Sequence, residues 1–192
     1  ILIDATHGNP GLDQLKQLTD MASAAGLVLH VETAAITEEM LSGCDLLILS
    51  APTAPLEEEF LSLTAGFIRN GGNILLCGTE GGNEELNRLL TFLGATMTLE
   101  TDTVRDDFVN CGTPEQLSLT DIRPDTPWTK GISIAAQVAE GELHQAFLVE
   151  NACGVDPGSG SWLVRGYETT ESAGGMSPVL LAWEQVNGGD LF

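Results

Sequence analysis

A chain of 192 residues with 43% hydrophobic side chains holds enough apolar material for one domain with its own core, and that composition excludes a disordered tract. The formal charge of −21, from 28 Asp plus Glu against 7 Lys plus Arg, argues against nucleic acid and anionic membrane surfaces, which need clustered basic residues. No apolar run approaches the roughly 18–20 residues of a spanning helix, so no direct membrane insertion is expected.

The first stretch, ILIDATHG, reads as a buried strand that ends at Asp4 and runs into a loop of small and polar residues. Leu12, Leu15, Leu18, Met21, Ala22 and Ala25 then fall at helical spacing, with Pro10 and Asp13 suited to the first turn and Gly26 to the stop. Leu27–Val31 reads as a short strand, and Thr37 as the N-cap of a helical turn. Asp45–Ser50 is a nearly continuous apolar run, the pattern of a parallel strand covered on both faces. Leu56–Asn70 reads as a helix with Leu56, Phe60, Leu63, Phe67 and Ile68 in one stripe and Glu57, Glu58 and Glu59 in the first turn. Asn73–Cys77 is another buried strand. Asn83 then caps a helix through Leu86, Leu89, Leu90 and Leu93 to Gly94.

Strands alternating with helices imply a parallel sheet with right-handed crossovers. The expected fold is α/β, Rossmann- or flavodoxin-like, mostly parallel, with helices on both faces and antiparallel additions in the second half. In that half Thr96–Leu99, Ile132–Val138, Phe147–Val149, Trp162–Arg165 and Val179–Trp183 are strand candidates. Residues 102–127 read as irregular, 154–161 and 169–175 as exposed loops, and Asn187-Gly188-Gly189-Asp190 as a hairpin turn. The whole of residues 1–192 is expected to be one domain. Residue 1 already lies in a strand-like run without an initiating Met, so the chain is expected to be a piece of a longer protein, with one more strand beyond its end.

Ligands of open parallel sheets bind outside the carboxyl ends of the strands. Three loops are expected to meet there, offering Asp4, Thr6, His7, Asn9, Ser50, Thr53, Thr79 and Glu80. Their hydroxyls and amides suit a polar neutral ligand, and the same residues also serve as ordinary turn and cap residues. His7 suits a general base or metal ligand oriented by Asp4, or a loop histidine bonded to backbone. The other histidines are His30, within a strand, and His144, in a polar stretch; the three have no zinc spacing.

Cys77 ends a strand before a glycine-rich loop, where a nucleophile elbow sits in related enzymes. Leu75 and Thr79 stand where the elbow needs small residues, so it reads as a core residue. Gly78–Gly82 lacks the phosphate-loop pattern, and Glu80 repels phosphate, so no nucleotide cofactor is expected. Asp106-Asp107 and Asp121/Asp125 lack EF-hand spacing and read as solvated turn carboxylates rather than calcium ligands. Of the cysteines, Cys44 and Cys77 read as buried thiols, while Cys111 and Cys153 lie in loop-like sequence where a disulfide is conceivable.

The stretches ILIDATHGN, DLLILSAPTAPLEEEFLSLTAGFIRNGGNILLCGTEGGNEELNRLLTFLGATM and TDTVRDD carry a resemblance, with a weaker echo in IRPDTPWTKGI. The chain resembles the class I glutamine-amidotransferase-like superfamily. Within it, the chain is similar to the non-catalytic domain of gliding-motility ABC-transporter auxiliary proteins and of the 52-kDa-type intraflagellar-transport subunit. That resemblance implies a Rossmann-like sheet without the amidotransferase triad, serving as a ligand-binding module, carbohydrate being one candidate, or as a protein-assembly module. The parent protein would then be membrane-associated or exported, and the domain extracytoplasmic or surface-associated. The alternative expectation is a hydrolase or amidotransferase-like enzyme using Cys77 or His7.

Overall fold

The computed structural model describes residues 1–9, 16–119, 121–124, 126–129 and 147–192. The expected first turn at Pro10 and Asp13, Asp125, the strand candidate at 132–138 and His144 lie outside them. Seven strands are hydrogen-bonded in one sheet: β1 (Leu2–Asp4), β2 (His30–Glu32), β3 (Leu46–Ser50), β4 (Asn73–Cys77), β9 (Ser161–Arg165), β12 (Val179–Val186) and β13 (Gly189–Leu191). Their order is β2-β1-β3-β4-β13-β12-β9. The first five in that order run parallel, and β12 and β9 add antiparallel pairs. The helices are α1 (Lys16–Ala24), α2 (Glu38–Ser42), α3 (Glu58–Arg69) and α4 (Glu84–Leu93). The mixed α/β, Rossmann- or flavodoxin-like architecture is therefore present. Among the described residues no helix is long and apolar enough to cross a membrane.

The chain forms two compact units. Unit 1 comprises residues 1–78, 82–96 and 184–192, and unit 2 comprises 79–81 and 97–183. In unit 1 the continuous apolar runs become buried strands: in β3 Leu47 and Leu49 on one face are fully inaccessible and Ile48 on the other is buried, while β4 buries Ile74 and Leu76 on one face and leaves Leu75 half-buried on the other. The stripe of α3 buries Phe60, Leu61, Phe67 and Ile68, and that of α4 buries Leu86, Leu89, Leu90 and Leu93. Gly94 closes α4 in the left-handed region (φ 82°). Thr37 caps α2 by accepting from the Met40 amide at 3.4 Å.

The Asn-Gly signal is a two-residue hairpin. Asn187 (φ 52°) and Gly188 (φ 106°) both take the positive φ that an I′ turn requires, and Val186 pairs with Gly189. Glycine at 189 has a second reason: a Cβ there would collide with the Gly72 carbonyl oxygen. This turn brings β13 back parallel to β4, with Leu191 beside Ile74.

Unit 2 has its own core of Val104, Leu117, Leu119, Ile122 and Val164. Its pairs are β5 (Thr98–Thr103) with β8 (Cys153–Asp156), and β6 (Gln116–Leu119) with β7 (Phe147–Glu150). A small hairpin joins β10 (Glu171–Ser172) to β11 (Gly175–Met176). Three expectations are corrected here. The irregular stretch 102–127 contains β6, because its alternating Leu117 and Leu119 face the core while the turns around them dominate the composition. Residues read as loops contribute β8 and the β10–β11 hairpin, strands of 4 and 2 residues, too short to carry a period. The four cysteines are free thiols: Cys111 is exposed and Cys153 is buried within β8, so they do not pair.

Candidate functional site at the strand ends

β1 delivers Asp4 to the carboxyl end of the sheet, where it is fully buried. A buried carboxylate must be surrounded by donors. The Thr6 amide donates to Asp4 Oδ1 at 3.0 Å and the Thr6 hydroxyl at 2.6 Å, while His7 Nδ1 lies 2.6 Å from Asp4 Oδ2. The side chain of His7 is only 7% exposed and its ring packs on Phe60, with centroids 4.6 Å apart. Its other nitrogen, Nε2, lies 3.1 Å from Glu57 Oε2, just before α3. Each ring nitrogen thus lies within hydrogen-bond distance of a carboxylate, and Nδ1 is also 2.9 Å from the Thr6 hydroxyl.

Backbone bonds weld this loop to the next. The His7 carbonyl accepts from the Thr53 and Ala54 amides, both at 2.9 Å. The Thr53 hydroxyl donates to the Gly8 carbonyl at 2.8 Å. Gly8 sits at φ 69°, and a Cβ there would meet the Thr53 hydroxyl. Asn9 is buried; its Oδ1 accepts from the His7 amide at 3.2 Å and its Nδ2 donates to the Ser50 carbonyl at 2.7 Å. Past Ser50 the chain turns through Ala51 at φ 37°, a left-handed conformation that costs about 1–2 kcal/mol for a residue with a Cβ. The Ala51 amide is held by the Cys77 carbonyl at 2.8 Å.

Six of the eight expected residues, Asp4, Thr6, His7, Asn9, Ser50 and Thr53, therefore come together in unit 1. Thr79 and Glu80 belong to unit 2. There the Gly81 amide donates to the Thr101 carbonyl at 2.8 Å, and the Thr103 hydroxyl donates to Glu80. Glu57 and Phe60 are the participants that the sequence pattern did not single out. Three consecutive glutamates open α3, and spacing alone does not say which of them reaches back across 50 residues to His7. The Glu57 carboxyl is held below the usual carboxylate range, first by a hydrogen bond from its own backbone and then by the His7 side chain.

Cys77 is a half-buried free thiol at the end of β4, and burial pushes its pKa up. A raised thiol pKa leaves less of the nucleophilic thiolate at neutral pH. The hydrogen bonds of the His7 ring go to Asp4, Thr6 and Glu57 rather than to the Cys77 thiol. Among the described residues no group of three or more His, Cys, Asp or Glu side chains is arranged to hold a metal ion.

No protein-family model and no curated protein sequence matches the chain. Among solved structures, the mmIFT52 N-terminal domain matches at a TM-score of 0.77 with 16% identity, over 100% of this chain and 87% of that one. This chain has an IFT52-like fold. The cytoplasmic protein STM3548 from Salmonella typhimurium matches at a TM-score of 0.51 with 12% identity, over 93% of this chain and 74% of that one. At such identities the likeness is one of fold.

Proposed function

We propose that the chain is a non-catalytic interaction module with an amidotransferase-like sheet, one domain of a longer protein, that recognises a partner protein or a small polar ligand. The observation that supports this reading is the closure of the His7 knot. An enzyme of the expected kind needs a thiolate with a base bonded to it, whereas this chain offers a thiol with a raised pKa and an imidazole whose hydrogen bonds go to Asp4, Thr6 and Glu57. The IFT52-like fold accords with an interaction role. The −21 charge directs the search toward partners other than nucleic acid.

Asp4, Thr6, His7, Asn9, Ser50 and Thr53 are the proposed ligand site of unit 1, and Thr79 and Glu80 are proposed contacts of unit 2 by themselves. In unit 1 the exposed members, Thr53 and Glu57 beside it, are the surface, and buried Asp4, His7 and Asn9 are the frame beneath it. The test has two arms. The protein is assayed for hydrolysis of glutamine and of chromogenic esters, and its melting temperature is followed against a sugar panel. The expected result is no turnover above a Cys77→Ala control. Turnover lost in Cys77→Ala overturns the non-catalytic reading. A melting shift with a sugar that Thr53→Ala abolishes selects carbohydrate as the ligand, and a flat panel selects a protein partner.

A further inference from the structure

The helical layer of unit 1 carries a feature that the strand-end knot does not use. α4 buries its four leucines, yet Phe92 lies off that stripe and is 50% exposed. Two open hollows flank it. One, of about 740 Å³, lies over Leu61 and is edged by Glu58 and Glu84. The other, of about 380 Å³, lies over Ala65 and is edged by Arg69. The groove between α3 and α4 is thus a trough with an aromatic ridge at its middle.

Its rim is electrically polar. Glu58 and Glu84 stand in the first turns of their helices, and Arg69 stands in the last turn of α3. None of the three has an ion-pair partner among the described residues. Arg88, the other cation of the trough, is already committed: it donates to the Leu56 carbonyl at 2.7 Å and to Glu85 at 3.0 Å. From Glu58 to Arg69 the α-helical rise of 1.5 Å per residue gives about 16 Å, or three turns. A trough between two helices presents side-chain ridges and no free backbone edge, so it receives a helix rather than a strand.

We propose that this trough is a docking site for one amphipathic helix of a partner protein, with basic residues at the end over Glu58 and Glu84, an acidic residue at the end over Arg69, and apolar residues on either side of Phe92. The inference rests on the interaction-module reading and adds the surface and the partner's chemistry. A partner of this polarity complements three charges that have no ion-pair partner among the described residues. A second copy of the chain, itself at −21, is repelled.

The probe is a fluorescein-labelled, helix-forming peptide of about four turns, with leucines along one stripe, lysines at one end and glutamates at the other. Its control carries glutamates at both ends. Binding to the full chain is read by fluorescence anisotropy, and its footprint by hydrogen exchange. The expected result is saturable binding of the bipolar peptide about tenfold tighter than the control, with protection confined to α3 and α4. Glu58→Lys with Glu84→Lys should abolish that preference, and Phe92→Glu, or Phe92→Ala as the milder variant, should weaken binding by tenfold or more. The proposal is overturned by equal binding of both peptides, by binding indifferent to Phe92, or by no saturation at millimolar protein. A concentration-dependent dimer lost in Phe92→Glu also overturns it, since the occupant would then be a second copy. Turnover at Cys77 bears on the proposed function alone and leaves these outcomes readable.

Discussion

Asp4 in unit 1 and Asp106 in unit 2 are both fully buried carboxylates, and they solve the same problem with different partners. Asp4 is satisfied locally, by Thr6 and His7, within three residues of itself. Asp106 accepts from the Phe108 and Val109 amides, both at 2.8 Å, and from the hydroxyls of Thr169 and Thr170 at 2.8 and 2.9 Å. The first knot shapes one loop. The second ties two segments more than 60 residues apart and corrects the expectation of a solvated turn carboxylate. The difference lies in the donors: Asp106 is surrounded by neutral groups, while Asp4 shares its histidine with a second, exposed carboxylate. One knot is a clamp. The other has a face open to solvent at Glu57.

The comparison breaks most sharply at Asp106. Replacing it with Ala orphans two amides and two hydroxyls in a buried site, so Asp106→Ala is expected to destabilise the protein by about 3 kcal/mol, measured by denaturant unfolding. Asp106→Asn keeps one acceptor oxygen and is expected to cost about half as much. Asp4→Asn leaves His7 without its buried carboxylate and, set against Asp106→Asn, is expected to cost less, about 1 kcal/mol in the same measurement. If Asp4→Asn proves the costlier of the two knots, the distinction between clamp and local tie is wrong.

Acid sharpens the contrast. Burial pushes the Asp106 carboxyl up, but the hydrogen bonds from Val109, Phe108, Thr169 and Thr170 outweigh it and hold the group below its ordinary value. A carboxyl lowered in the folded state contributes stability that is present above its unfolded pKa of about 3.9 and lost as pH falls through the lower folded value. The Phe108 and Val109 amides should therefore stay protected from hydrogen exchange at pH 4 and lose protection only below it. Asp106→Asn should remove that acid step. The smallest effect is expected at Glu57. Glu57→Gln should leave the unfolding midpoint unchanged and shift only the His7 ring resonances, read by NMR at neutral pH.

The same contrast explains what was legible in the sequence. Apolar runs such as Asp45–Ser50 and Asn73–Cys77 announced strands because each is short, nearly unbroken and bounded by turn residues, and β4 matches its expected bounds residue for residue. Asn187-Gly188 announced its turn because few dipeptides accept two positive φ angles. Asp4 and His7 were visible because a polar pair directly after a buried strand has few places to go. Asp106 was not, because the threonines that satisfy it lie 63 and 64 residues away. Glu57 was hidden among three glutamates that the helix dipole treats alike. The short strands β8, β10 and β11 were missed because pairs of 4 and 2 residues owe their existence to tertiary contacts.

The placement of β13 sets a schedule for synthesis. Its Leu191 pairs with Ile74, and unit 1 recovers its last strand only after the chain has passed through the whole of residues 97–183. At roughly 5–20 residues per second a ribosome needs on the order of 5–20 s to cross that interval. Throughout it, the β4 edge that β13 later covers is a bare strand of nascent chain, with Ile74 and Leu76 flanking unpaired backbone groups. The newborn protein is most vulnerable to misassembly during that wait, and a chaperone that shields strand edges is most useful to it then.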